Sequence, residues 1–209
     1  MIATCRGKSP FRSRRREEIA PILGESAERR LFVPCSARSS GFQIFAAMST
    51  VLLALSPLRA ADKTWNVTGT GSWDVGGNWT GGVPTASDAA FIENSGTAVL
   101  GAGVSGTYAT LYTGLSSAGT INIAGGLLTG GDAYLGAGAG LGTASVTSGT
   151  WSNSSLLHIG ASGTGVLNVN GGSVSSLGGY LGYDYGSTGT ATVSGGTFHN
   201  SEFLDVGFN

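Results

Sequence analysis

After residue 60 this sequence contains no cysteine and no arginine, and Lys63 is its only lysine. The 149 residues from position 61 onward hold eight Asp and Glu side chains against that lysine, a net charge of 1 − 8 = −7. Without disulfides, this part of the chain must be stabilised by packing and hydrogen bonds. A single base cannot neutralise phosphates, which argues against nucleic-acid binding. No apolar pattern repeats at helical spacing over a full helix length, so strands are predicted.

The first 60 residues have the opposite composition. They contain ten of the eleven Lys and Arg residues and both cysteines, and they include the apolar run Gly41–Leu55, followed by Ala60 and Ala61. A basic lead, a short apolar run and small residues predict a secretory signal peptide, disordered or helical, that is cleaved after Ala60 or Ala61. The alternative is an uncleaved membrane anchor. We expect membrane contact only through this segment, residues 1–60.

Glycine is the residue in excess, with 34 of the 149 residues after position 60. Gly-Thr or Gly-Val pairs recur every 23 residues, or 24 for the last, at Gly96, Gly119, Gly142, Gly165 and Gly189. Each pair opens a unit that continues through an alternating strand, a Gly-Gly or Ser-Gly turn, a second strand and an aliphatic residue followed by glycine. A period of this length is typical of stacked repeats.

Within the first strand of a unit, apolar and polar residues alternate, as in Ile121-Asn122-Ile123. We therefore predict an all-β, right-handed parallel β-helix of about five 23–24-residue coils over residues 96–209, preceded by a Trp-rich cap over residues 61–95. An antiparallel β-sandwich is the alternative fold. The β-helix predicts two inward ladders, one of Ile123, Val146, Val169 and Val193, and one of Leu128, Trp151, Val174 and Phe198.

Two repeat sequences, "GTGVLNVNGGSVSSLGGYLG" and "GTATVSGGTFHNSEFLDVG", resemble the repeats of bacterial autotransporter passenger domains. They are also similar to repeats associated with type V secretion and PEP-CTERM sorting. The segment Thr64–Phe91, "TWNVTGTGSWDVGGNWTGGVPTASDAAF", is similar to the segment that often opens such proteins. The resemblance implies a β-helical stalk, structural or adhesive, that is secreted or lies at the cell surface or outer membrane of a bacterium. Its implied partners are surface glycans or other cell-surface proteins.

Aromatic residues are the candidates for a ligand surface. Trp65, Trp73 and Trp79 could form a platform that stacks on sugar rings, or they could cover the open end of the β-helix. Three further residues occupy one column, one position before each closing aliphatic residue, and should face outward: Tyr134, His158 and Tyr180. Asp205 follows them in the same column. They form either a ligand-binding stripe or an ordinary exposed face.

We expect no enzyme, no cofactor and no metal site. The chain after residue 60 has two histidines, and no nucleophile motif of the Gly-x-Ser-x-Gly form occurs. Asp132 and Asp184 fall in different columns, so they do not make a calcium-binding repeat. A carbohydrate-binding module and a β-helical polysaccharide-degrading enzyme are the alternatives to a stalk.

The last predicted coil stops at Asn209, two residues after its closing glycine. We expect its outer edge to present unpaired backbone groups and apolar side chains, because no capping segment follows. This edge predicts end-to-end self-association. It also suggests that the chain is a fragment of a longer passenger.

Overall fold

The structure is a computed structural model that describes residues 61–208. The predicted signal peptide lies outside the described residues. Twelve strands and one 3-10 helix, Gly76–Asn78, make up the fold. In chain order the strands are β1 (Asp62–Thr64), β2 (Thr70–Ser72), β3 (Ala89–Ile92), β4 (Thr97–Gly101), β5 (Ser105–Thr113), β6 (Gly119–Leu135), β7 (Leu141–Asn153), β8 (Leu156–Ile159), β9 (Thr164–Val169), β10 (Ser173–Leu181), β11 (Thr188–Val193) and β12 (Thr197–Val206).

Every pairing between these strands is parallel. Together they form a β-solenoid of about six turns of about 23 residues each. The predicted parallel β-helix is confirmed, and the parallel pairing excludes an antiparallel sandwich. The one antiparallel contact is an isolated bridge between Trp65 and Trp79.

The strands stack in three columns. The first column holds β2, β4, β9, β11 and the beginnings of β6 and β7. The second holds the middle of β6, the end of β7 and the beginnings of β5, β10 and β12. The third holds β1, β3, β8 and the ends of β5, β6, β10 and β12. From β4 onward, each coil thus contributes one strand segment to each column, whereas the first turn has strands only in the first and third columns.

Both predicted inward ladders are present. In the first, each residue pairs with the equivalent residue one repeat later, from Ile123 to Val146, then to Val169 and Val193. In the second, Leu128 pairs with Trp151, which pairs with Val174 and then Phe198. The members in the middle coils are fully buried, and the core is continuous along the solenoid.

The glycines that open and close each repeat meet at one corner. A Cβ on Gly142 would lie 2.0 Å from the Gly136 nitrogen, because the opening of one repeat contacts the backbone that closes the repeat before. Gly136 itself has a φ of +67°, which L side chains rarely adopt. The period seen in the sequence therefore reflects a corner that recurs once per coil.

A polar network lies inside the second column. Tyr108 places its ring against Gly130, where a Cβ would come within 2.2 Å of the ring. The Tyr108 hydroxyl donates to Asn153 Oδ1 and accepts a 2.8 Å hydrogen bond from Trp151 Nε1. Burial raises the pKa of Tyr108, which keeps the hydroxyl protonated. Because Gly130 has no side chain, it leaves space for the ring of Tyr108, which belongs to the preceding coil.

The Trp-rich segment also contributes strands to the stack. Strand β1 pairs with β3, and β2 pairs with β4, both in parallel. The backbone nitrogen of Trp73 continues this pairing with a 2.9 Å hydrogen bond to Val99 O. The segment predicted as a cap therefore extends the solenoid, in register with the repeat that follows it.

Candidate functional site

Five aromatic rings stack along the outer face of the third column. We name them the aromatic ladder: Phe91, Tyr112, Tyr134, His158 and Tyr180. Their neighbouring ring centroids lie 4.9, 5.1, 4.6 and 5.0 Å apart, and the planes of successive rings differ by 8–22°. The ladder thus runs parallel to the solenoid axis, with one ring contributed by each of five successive coils.

Strand alternation places these rings outside. At the end of β6, which lies in the third column, Ala133 and Leu135 are fully buried, so Tyr134 between them faces outward. Tyr134 then pairs with His158, and His158 with Tyr180, through the parallel register. The predicted column of Tyr134, His158 and Tyr180 is confirmed, and Asp205 continues it as the partner of Tyr180.

Stacking encloses the ring faces of the ladder. His158, between Tyr134 and Tyr180, is only 5% exposed, and its Nδ1 has no hydrogen-bond partner among the described residues. Burial raises the pKa of Tyr134 and lowers the pKa of His158, while Asp132 and Asp184 oppose the shift of His158. Stacking on a sugar requires an open ring face, and the inner rings of this ladder offer edges instead.

Further aromatic rings cover the end of the ladder nearest the C-terminus. Tyr183 meets both His158 and Tyr180 edge to face, at 5.0 and 4.9 Å. Phe208 stacks on Tyr183 at 5.1 Å, and Phe203 packs its edge against Tyr180 at 5.2 Å. These contacts enclose Tyr180 from the side, which further reduces its value as a binding platform.

Sequence reasoning missed two members of the ladder. Tyr112 precedes Thr113-Gly114, the same offset that Tyr134 has from its closing pair, so the signal was present in a degenerate repeat. Phe91 had no such signal, because no closing glycine follows Ile92. Only the pairing of β3 with β5 places Phe91 beside Tyr112.

The three tryptophans of the N-terminal segment do not form an exposed platform. Trp65, Trp73 and Trp79 are 1%, 0% and 3% exposed, so sugar stacking on their faces is excluded in this structure. Trp79 packs edge to face against Trp65 and Trp73, at 4.9 and 4.7 Å, and its Nε1 donates to Trp73 O at 2.7 Å. The indoles instead fill the interior of the first turn, because a buried indole removes a large apolar area from water.

A groove that sequence reasoning did not identify runs between the second and third columns. Its larger part is a cavity of about 510 Å³, and a second part of about 260 Å³ shares Ser154 with it. Register aligns five polar side chains along its floor: Thr107, Thr129, Ser152, Ser175 and His199. Among the described residues, no Asp, Glu, Lys or Arg lines either part, so the groove is lined by hydroxyl groups, the Asn153 amide and one imidazole.

Among residues 61–208, no group of three or more His, Cys, Asp or Glu side chains is placed to hold a metal ion. The same residues contain no helix of the length and apolarity needed to cross a bilayer.

Comparison of the chain with family models, curated proteins and solved structures found no match.

Proposed function

We propose that this chain is an exported, surface-associated stalk of a bacterium, structural or adhesive, of the kind that autotransporter passengers and PEP-CTERM-associated repeats represent. The observation that carries the proposal is the parallel register that recurs from coil to coil, with local bulges in three of the strand pairings. The same corner and the same two inward ladders recur from coil to coil, and coils of this kind contact only their neighbours. Such an array extends along one axis and keeps its outer faces available to partners.

The outer surface suits an extracellular stalk that presents itself to surface glycans or other cell-surface proteins. Residues 61–209 carry a net charge of −7, which favours solubility of the repeats. We assign the stalk no catalysis, because neither histidine forms a hydrogen bond to a carboxylate among the described residues. His158 is enclosed between two rings, and the groove around His199 contains no carboxylate.

The test of the stalk proposal is the location of the protein in the cell that makes it. We expect proteinase K added to intact cells to digest the protein. The chain recovered from untreated cells should lack the basic lead. The variant Leu53→Arg, which interrupts the apolar run, should stay in the cytosol with its leader attached. Thr143→Arg, a matched control on the outer face of β7, should reach the surface. An intact chain that begins at Met1 and remains in the cytosol would contradict export.

A second candidate function, carbohydrate binding, is favoured by the groove. Hydroxyl-lined grooves can exchange hydrogen bonds with sugar hydroxyls, and this groove follows the solenoid axis across several coils. A linear, neutral polysaccharide fits this chemistry better than an acidic one, because the chain cannot supply positive charge.

Binding on a glycan array tests this second candidate. Ser152→Tyr should fill the groove and abolish binding, whereas Thr143→Tyr, on the neighbouring column of the same strand, should leave binding unchanged. Equal binding by both variants would show that the groove is not used. If the native chain and both variants fail to bind any glycan, carbohydrate binding is ruled out and the stalk stays the proposed function.

A further inference from the structure

The first strand begins with a contact between Ala61 and a buried carboxylate. The Ala61 nitrogen lies 3.1 Å from Asp88 Oδ1, and the Ala61 carbonyl accepts a 3.0 Å hydrogen bond from the Ala89 nitrogen. Asp88 is only 6% exposed. Its other oxygen, Oδ2, accepts from the Thr85 nitrogen at 2.9 Å and the Thr85 hydroxyl at 2.7 Å. Ala61 is thus the hydrogen-bond partner of Oδ1.

Asp88 is held as an anion, and the described part of the chain places little positive charge near it. Hydrogen bonds from the Thr85 side chain and backbone, and one from the Ala61 nitrogen, lower its pKa, and Lys63 lowers it slightly further. Lys63 is the only Lys or Arg among the described residues, and its Nζ donates to Gly81 O. A buried carboxylate is stabilised most by a cation in direct contact.

We propose that the export peptidase cleaves after Ala60 and that the new Ala61 ammonium forms an ion pair with Asp88. In this hydrolysis the Ala60–Ala61 peptide bond breaks, water supplies hydroxide to the Ala60 carbonyl carbon and a proton to the Ala61 nitrogen, and the amine takes a further proton from solvent. The inference rests on the proposed export. Cleavage after Ala61, which the sequence allows equally, would remove the nitrogen that Oδ1 contacts and make Asp62 the first residue.

The first experiment locates the cleavage. The full precursor is expressed with its own leader, and the exported protein is examined by N-terminal sequencing and intact mass. We expect a chain that begins at Ala61. An exported chain that begins at Asp62 would overturn this inference and leave the proposed function standing. A chain that is never exported would instead overturn the proposed function.

The second experiment tests the ion pair by acetylation of the α-amine. The exported Lys63→Arg protein is used, so that the α-amine is the only reactive amine. The acetylated nitrogen can still donate one hydrogen bond to Oδ1, so the modification removes the positive charge and keeps this contact. We expect acetylation to lower Tm by about 2–4 °C, and by about 1 °C or less in Lys63→Arg with Asp88→Asn.

An equal loss of Tm in both proteins would show no coupling and would overturn the ion pair. Asp88 also accepts two hydrogen bonds from Thr85, so Asp88→Asn could fail to fold. In that event the acetylated Lys63→Arg protein decides alone. A lowered Tm supports the pair, and an unchanged Tm overturns it.

Discussion

At the scale of single residues, the glycine that opens each repeat faces the backbone of the turn before it. A Cβ would lie 1.7 Å from Ile92 O at Gly119 and 2.0 Å from Ile159 O at Gly189. Neither glycine has a positive φ, so the close approach of backbones accounts for their lack of a side chain. The closing glycines differ, since their φ values lie near +70°.

Substitution of a glycine that opens a repeat should therefore destabilise the fold far more than substitution of a glycine with free space around it. Gly119→Ala must push apart two coils, and we expect a loss of about 3 kcal/mol or more in the free energy of unfolding. Gly101→Ala is the matched control, because nothing lies within 4 Å of its added Cβ and its φ is not positive. Urea unfolding measures both. Equal stability of the two variants would contradict the close approach.

A second prediction at this scale concerns the buried imidazole of His158. Burial lowers its pKa in the folded state, while Asp132 and Asp184 oppose the shift; Tyr183 also faces the ring, edge to face. The unfolded chain therefore binds the proton more tightly, so His158 lowers stability as pH falls below its unfolded pKa of about 6.5.

We expect Tm to fall less between pH 7.5 and pH 5 in His158→Phe than in the native chain, because phenylalanine keeps the stacking and removes the proton. His199→Phe, at an exposed position, is the control and should retain the native pH dependence. Thermal unfolding across this pH range makes the comparison. If His158→Phe and the native chain show the same profile, the enclosed imidazole does not control the acid response.

At the scale of elements, the strands are stabilised by ladders of like side chains. Val146 and Val193 belong to the same ladder and differ in position along it. Val146 is fully buried between coils, whereas Val193, in the last coil, is 49% exposed. The same residue type therefore experiences two environments within one register.

Truncation of these two valines should separate burial from sequence pattern. Val146→Ala is expected to lower the free energy of unfolding by about 2 kcal/mol, because it leaves a cavity between packed neighbours. Val193→Ala should cost about 0.5 kcal/mol, since water already reaches that side chain. Chemical denaturation of both variants tests the prediction. Similar losses would mean that the last coil is as well packed as the middle ones.

At the scale of the whole molecule, the last coil differs from the others in its outer edge. No strand among residues 61–208 pairs with the outer edges of β11 and β12. The last strand carries two exposed apolar side chains near this edge, Val206 at 73% and Leu204 at 46%, among polar ones. An open parallel edge with apolar side chains is a template for another strand.

We therefore predict concentration-dependent self-association of this chain through that edge. Val206→Lys should suppress association, because a charge at the edge opposes strand addition. Leu115→Lys changes an exposed leucine at a corner away from the edge and should associate like the native chain. Sedimentation velocity over a range of concentrations measures this. A native chain that stays monomeric at high concentration would contradict the prediction.

The amino-acid sequence by itself determined the repeat and the ladders, and it predicted the parallel stack that the strand pairing then confirmed over an antiparallel sandwich. A 23-residue period places residues such as Ile123 and Val146 at equivalent points of successive coils, and alternation within each strand decides which of them face inward. The period and the alternation are properties of residue spacing along the chain, so one sequence suffices to detect them. The membership of Tyr134, His158 and Tyr180 in one outward column followed from the same register.

Only the tertiary structure decided what these columns can do. Trp73 could have been a platform or part of the core, and the packing of the first turn buries it completely. His158 is enclosed because Tyr134 and Tyr180 lie on both of its faces, which depends on ring orientation. The groove over Ser152 and the contact of Ala61 with Asp88 arise between coils and distant segments. Such features depend on distances across the fold, and composition and spacing along one chain do not contain them.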